Sequence, residues 1–341
     1  MDISQLTAYT NRVINGGEIT RDEAKELLTF NDEDTPLLLA MADKIRRFFR
    51  GNDVDCCAIV GGRSGRCPED CRFCAQSCHY NTGIKAYPLI DTDKMIEAAK
   101  KAKAAGATRF SIVTGGRAVE EGTDFNTILQ AVPVIRNTIG IEVCCSLGFI
   151  SENQLLALKK AGITRYHSNI ETAPSYFKNI CSTHTFADKE AMVKTVQKAG
   201  LRPCCGGIFG LGESLEQRLE MAFVLKNMGI DSIPINILNP VKGTPLEKAV
   251  PPSPWEILRI FAVFRFILPH AQIRTAGGRE VNLRSMQAYA LTAGADGLMI
   301  GGYLTTAGNK THVDTQMLTD LGRKPAMPRF PCLLYTSDAA D

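Results

Sequence analysis

Three cysteines in one short stretch carry the strongest chemical signal in this chain. The segment GGRSGRCPEDCRFCAQSCHY places Cys67, Cys71 and Cys74 in a C-x3-C-x2-C spacing. Three thiolates this close can bind three irons of a 4Fe–4S cube and leave the fourth iron open to another ligand. Zinc is the rival, but structural zinc usually takes four ligands from paired C-x2-C units. Cys78 lies nearby at a spacing unlike the ferredoxin run. Chance is a poor explanation, because loop thiols at this density are reactive liabilities unless they are used.

The chain has 341 residues, a net charge of +3 and twelve cysteines. The N-terminus MDISQLTAYT lacks a charged-then-apolar leader, so no secretory signal is expected. No apolar run reaches the length of a membrane span. A soluble cytoplasmic protein is the default, and clustered cysteines in a reducing compartment point to metal or redox chemistry rather than disulfides. Lys and Arg are dispersed, so no nucleic-acid surface is indicated. Apolar content of 45% supplies a full core for one large barrel or two ordinary domains.

Residues 1–50 read as a helical extension, with a break at Asn31–Pro36. A strand-then-helix rhythm follows over 51–324. Apolar runs predict strands at 55–61, 108–114, 141–147, 163–168, 202–208, 231–237, 271–275 and 296–300. Helical patterns fit 91–105, 122–137, 151–161, 186–199, 214–228, 253–267 and 280–292. Eight strands alternating with helices predict an α/β fold, a parallel (β/α)8 TIM-type barrel, with a doubly wound open sheet as the alternative. Residues 325–341 have neither period, and LLYTSDAAD resembles translated non-native sequence, so Cys332 receives no role.

Barrel chemistry sits at the C-terminal ends of the strands. The cysteine cluster follows the first strand, and Thr114, Gly115 and Gly116 end the second. Cys144 and Cys145 lie in the third, Asn169 and Glu171 follow the fourth, and Cys204 and Cys205 lie in the fifth. Asn236 closes the sixth and Arg274 lies in the seventh. The unusual polar and thiol residues therefore converge on one mouth or interior.

The three-cysteine motif is the signature of the radical S-adenosylmethionine superfamily. Within it, the chain resembles the biotin synthase family over roughly residues 10–325. The resemblance is carried by SGRCPEDCRFCAQSCHYNTGI, KAKAAGATRF, CCSLG, SNIETAP, GGIFGLGES, PINILNPVKGTPL and IRTAGGRE. It implies a 4Fe–4S cluster on Cys67, Cys71 and Cys74 whose open iron takes the amine and carboxylate of S-adenosylmethionine. It places Phe73 near the adenine, Thr114–Gly116 at the methionine amino group and Ile208, within Gly206–Glu213, beside the adenine. Asn169 and Glu171 would bind the ribose, and Asn169 and Asn236 would touch the substrate, dethiobiotin. A small redox protein (a flavodoxin or ferredoxin) as electron donor and a homodimer are further family expectations.

Two departures stand out. His184 occupies a position where the family commonly has Arg. The family also carries an auxiliary 2Fe–2S cluster that donates sulfur, held by three cysteines and one arginine. Cys144, Cys204 and Arg274 match, but the first cysteine is replaced by Ser111 in TRFSIVTGG. A hydroxyl is a harder ligand than the thiolate such clusters use. An altered auxiliary centre with another ligand is expected. Of the extra cysteines, alternation turns Cys145 and Cys205 away from Cys144 and Cys204, and Cys78 is the freer candidate beside Cys56 and Cys57. The alternatives are a related maturase or mutase without a sulfur-donating cluster, a non-catalytic iron–sulfur carrier, or a zinc module.

Overall fold

The computed structural model describes residues 2–306 and 308–327. Three N-terminal helices come first: α1 (Ile3–Ile14), α2 (Arg21–Leu28) and α3 (Thr35–Arg50). Asp2 caps α1 through the Gln5 amide, and Thr20 with Glu23 forms a reciprocal capping box on α2. Arg50 at the end of α3 reaches Asp296 at 2.7 Å, just before the last strand. The end of α3 thus meets the N-terminal end of the last strand, opposite the face where barrel chemistry occurs.

Nine strands follow: β1 (Asp55–Arg63), β2 (Arg109–Thr114), β3 (Glu142–Ser146), β4 (Arg165–His167), β5 (Arg202–Cys204), β6 (Gly207–Phe209), β7 (Ser232–Ile237), β8 (Gln272–Thr275) and β9 (Gly297–Met299). Between them lie α4 (Thr92–Ala104), α5 (Thr123–Val134), α6 (Glu152–Ala161), α7 (Phe186–Lys198), α8 (Leu215–Asn227), α9 (Pro254–Ile267), α10 (Arg279–Leu283) and α11 (Gln287–Thr292). After β9 comes α12 (Thr311–Asp320), which the apolar pattern does not announce. Every strand pair is parallel, in the order β5-β4-β3-β2-β1-β9-β8-β7-β6.

The two ends of that order, β5 and β6, are consecutive pieces of the single fifth strand that the sequence predicts at 202–208. The division falls at Cys205–Gly206, where the chain crosses the seam of the barrel. Cys205 N–H donates to the Ser232 carbonyl of β7 at 2.9 Å, and Gly207 bridges Glu171 beyond β4. A Cβ on Gly206 would lie 2.0 Å from the Pro234 carbonyl oxygen, so only glycine permits this approach. The seam closes the sheet into the TIM-type barrel. The predicted helix 280–292 is broken as well: Arg284 takes φ +52° and separates α10 from α11.

Alternation along the strands sorts the side chains. Cys56, Phe110, Ile112, Val143, Cys145, Tyr166, Cys205 and Ile273 pack outward into the core between sheet and helices. Deep in the barrel, buried charges pair: Asp55 with Arg274 at 2.5 Å and Arg109 with Glu142 at 2.8 Å. Burial alone would raise the Asp55 carboxyl, but Arg274 and Arg109 hold it well below the usual carboxylate range. The Val54 amide and carbonyl pair with Lys324 and Ala326, so the chain beside β1 is followed as far as Ala326. Cys332 and most of the 325–341 tail lie outside the described residues.

Candidate active site

The loop after β1 folds back on itself. Arg66 adopts φ +56° immediately before Cys67. The Cys67 amide donates to the Gln76 carbonyl at 3.0 Å, and the Cys78 amide returns to the Cys67 carbonyl at 2.8 Å. Cys74 N–H donates to the Cys71 carbonyl at 2.9 Å, a tight turn between the second and third cysteines. Burial raises the thiols of Cys67 and Cys74, the latter to about 11, although the amides of Glu69 and Gly116 point at the Cys67 sulfur.

A second segment, 180–184, locks this loop in place. Asp70 accepts from the amides of Ser182 at 2.8 Å and Thr183 at 3.1 Å, and Arg72 N–H donates to the Ile180 carbonyl at 2.9 Å. Glu69 binds Arg117 at 2.6 Å and His184 Nδ1 at 2.5 Å. His184 is buried between the rings of Phe149 and Phe177, and its Nε2 has no partner among the described residues. Cys181, which sequence reasoning missed, stands 3.2 Å from His184 Nδ1 and 3.8 Å from the Cys71 sulfur. The C-x2-H spacing of Cys181 and His184 was the available signal. These two residues and Cys71 offer ligand atoms within 4.8 Å of one another.

Inside the barrel lies a cavity of about 320 Å³. Phe73, Cys74, Asn169, Glu171, Ile208 and Asn236 line it on the side of the cysteine loop. Cys57, Ser111, Cys144, Cys204 and Arg274 line it deeper along the strands. Cys67, Cys71 and Thr114–Gly116 are not on its wall. Thr114 does offer a buried Oγ1 with no partner among the described residues, and Gly115 N–H donates to the Arg63 carbonyl at 2.8 Å. Cβ atoms on Gly115 and Gly116 would meet Gln76 Oε1 at 2.2 Å and Arg63 Nη2 at 2.7 Å, so these glycines allow the second strand to press against the loop.

The polar residues at the strand ends are fixed by backbone. Asn169 Oδ1 accepts from the Gly206 amide at 3.0 Å, and its Nδ2 donates to Glu171 Oε2 at 3.2 Å. Asn236 Nδ2 donates to the Gly207 carbonyl at 3.1 Å, while its Oδ1 accepts from Gly277 N–H at 2.9 Å. Neither asparagine caps a helix; both tie the ends of adjacent strands. Glu171 holds φ +66°, a left-handed conformation that costs a non-glycine residue about 1–2 kcal/mol. Glu213, in the glycine-rich segment, accepts from the amides of Gly210 at 2.9 Å and Leu211 at 2.8 Å and braces that loop.

Each of three Cys-Cys pairs splits across the sheet. Cys144 and Cys204 line the cavity, whereas Cys145 and Cys205 belong to the outer core, as strand alternation predicts. Burial would raise Cys204, yet His167, Arg274 and Ser232 outweigh it and bring the thiol down to about 6. Arg274 Nη1 lies 3.9 Å from the Cys204 sulfur, and its buried Nε has no partner among the described residues. Cys78 is exposed and does not line the cavity; Cys57 of β1 does.

Residues 63–225 match the Radical SAM superfamily, and residues 234–324 match the Biotin and Thiamin Synthesis associated domain. The biotin synthase of Carboxydothermus hydrogenoformans is 48% identical over 322 residues, covering 94% of this chain and 99% of that protein. That of Geobacter sulfurreducens is 47% identical over 320 residues, covering 94% and 97%. The chain belongs to the biotin synthase family. It is a radical S-adenosylmethionine enzyme, a sulfurtransferase by family. The fold agrees: a methylornithine synthase superposes with a TM-score of 0.82 at 20% identity, covering 94% of this chain and 98% of that one. The FeFe-hydrogenase maturase HydG of C. hydrogenoformans gives 0.76 at 17% identity, covering 95% and 80%.

Family membership implies a 4Fe–4S cluster and S-adenosylmethionine, and the residues fit both. The loop offers three thiols, and Thr114 Oγ1, unpartnered among the described residues, and the cavity beside Phe73 and Cys74 leave polar and apolar surface for a ligand. No helix among the described residues is long and apolar enough to cross a membrane.

Proposed function

We infer that this chain inserts sulfur into dethiobiotin to form biotin by radical chemistry. The observation that carries the reading is the sharing of one cavity by Cys74 of the cysteine loop and by the interior thiols Cys144 and Cys204. A carrier or a radical enzyme that transfers no sulfur has no need of the second set. Bound here, the 4Fe–4S cluster and S-adenosylmethionine supply a 5′-deoxyadenosyl radical, able to take hydrogen from carbons that no acid–base residue could deprotonate.

Cys67, Cys71 and Cys74 hold the cluster. Phe73 and Ile208 pack the adenine, Thr114, Gly115 and Gly116 meet the methionine end, and Asn169 and Glu171 take the ribose hydroxyls. Asn169 and Asn236 orient dethiobiotin, because amides already fixed by backbone hold a reactant at little further entropic cost. Cys144, Cys204 and Arg274 hold an auxiliary iron–sulfur centre of 2Fe–2S or altered type. The inside of a barrel excludes water from the reacting carbon. A small redox protein such as a flavodoxin or ferredoxin supplies electrons, and the chain works as a cytoplasmic homodimer.

The test is anaerobic product analysis. The protein is loaded with iron and sulfide, freed of excess sulfide, and given S-adenosylmethionine, dethiobiotin and a low-potential reductant. 5′-Deoxyadenosine and biotin together support the reading. Deoxyadenosine without biotin would favour a related maturase or mutase chemistry, and neither product from an iron-loaded protein would overturn it.

A further inference from the structure

We propose that Cys57 supplies the third thiolate of the auxiliary iron–sulfur centre, from β1, in place of the thiol that Ser111 lacks on β2. The inference rests on the auxiliary centre proposed above and assigns its missing ligand.

The three Cys-Cys pairs of the barrel give the first argument. Cys56, Cys145 and Cys205 all sit in the apolar core, as buried free cysteines acting as small hydrophobes do. Cys57, Cys144 and Cys204 are equally buried but lie outside that core and line the polar interior. Cys57 therefore sorts with the two family-matched ligands and away from the packing cysteines.

Register gives the second. Ile59 pairs with Ser111 and Cys57 pairs with Arg109. Cys57 is thus one strand over and two residues back from the partner of Ser111, on the same inward face. A ligand moved by one strand and one layer still faces the same space. The electrostatic neighbours of its thiol include Arg274, Arg109 and Cys204, and those of Cys144 include Cys57 and Cys204.

Unmet bonding gives the third. The Cys57 sulfur reaches the Ala58 carbonyl at 3.9 Å, next along the chain and at the limit of a sulfur contact. Arg274 Nε is buried and has no partner among the described residues. A buried polar group without a partner costs free energy unless something occupies the space it faces. Three thiolates and an arginine satisfy both, and thiolate is the ligand type that iron–sulfur clusters use.

The experiment compares iron, sulfide and Mössbauer spectra of the anaerobically loaded full chain and four variants. Cys67→Ala/Cys71→Ala/Cys74→Ala isolates the auxiliary centre and retains its iron. Adding Cys57→Ala to that variant is expected to remove the remaining iron. Adding Ser111→Cys as well restores it, a rescue that a merely structural role for Cys57 would not produce and that also shows the chain still folds. Cys56→Ala, the outward neighbour, keeps the iron of the parent. Auxiliary iron and spectrum unchanged by Cys57→Ala would overturn the Cys57 assignment while leaving the auxiliary centre standing. Loss of all iron in the three-cysteine variant would overturn the auxiliary centre itself, and the Cys57 assignment with it.

Discussion

The sulfurs of Cys71 and Cys181 stand 3.8 Å apart, with the Cys71 thiol as donor. Their mutual contact pushes Cys71 far up and brings Cys181 down to about 6. If Cys71 binds iron as proposed, it carries no proton, and the contact would run from the Cys181 thiol to the Cys71 thiolate. Hydrogen bonds to cluster sulfurs are one of the levers that set cluster potential. Cys181→Ala should keep the cluster iron but lower its reduction potential, read by an anaerobic redox titration. An unchanged potential would show that the contact has no electronic role.

Glu171 separates stability from binding. Glycine relieves its left-handed backbone, so Glu171→Gly should melt no lower than the parent despite losing a side chain. The loss of a charged hydrogen-bond acceptor should weaken S-adenosylmethionine binding by about tenfold or more. Calorimetry of binding and of unfolding on the same variant checks both directions. Equal affinity would remove Glu171 from the cofactor site.

Asp55 is the structural keystone of the barrel floor, since it faces both Arg274 at 2.5 Å and Arg109 at 3.4 Å. Asp55→Ala leaves two buried guanidiniums short of a partner. Removing one side of a buried pair typically costs about 3–5 kcal/mol. Chemical denaturation should show a loss of that order, and a loss below about 1 kcal/mol would mean that water or movement replaces the carboxylate.

Asp231 gives a pH signature. Burial raises its carboxyl, but Arg165 at 2.6 Å and Arg202 outweigh that and the group is held below its ordinary value. A carboxylate depressed in the folded state contributes stability that is complete above the unfolded pKa, about 3.9. That contribution is lost as pH falls through the lower folded value. The stability difference between parent and Asp231→Asn should hold steady from about pH 7 to pH 5 and shrink below about pH 4. A difference that grew on acidification would contradict the assignment.

Much of this was legible in the sequence. The apolar runs placed all eight strand positions, because a parallel sheet buries both faces and leaves near-continuous hydrophobic strands. They missed the division of the fifth strand, which depends on how closely Gly206 passes the Pro234 carbonyl, a contact between segments distant in the chain. Alternation correctly separated Cys144 from Cys145 and Cys204 from Cys205. It could not rank Cys57 against Cys78, because the period says which residues share a face but not which face looks inward at a given strand. Cys181 escaped notice because its meaning lies in Cys71, 110 residues away.

The most direct test of the central claim follows the sulfur. The chain is loaded with iron and heavy-isotope sulfide, stripped of free sulfide, and run anaerobically for a single turnover with dethiobiotin and S-adenosylmethionine. The account predicts biotin carrying the heavy sulfur, together with 5′-deoxyadenosine. Deoxyadenosine with no biotin, or biotin whose sulfur is unlabelled, would contradict it.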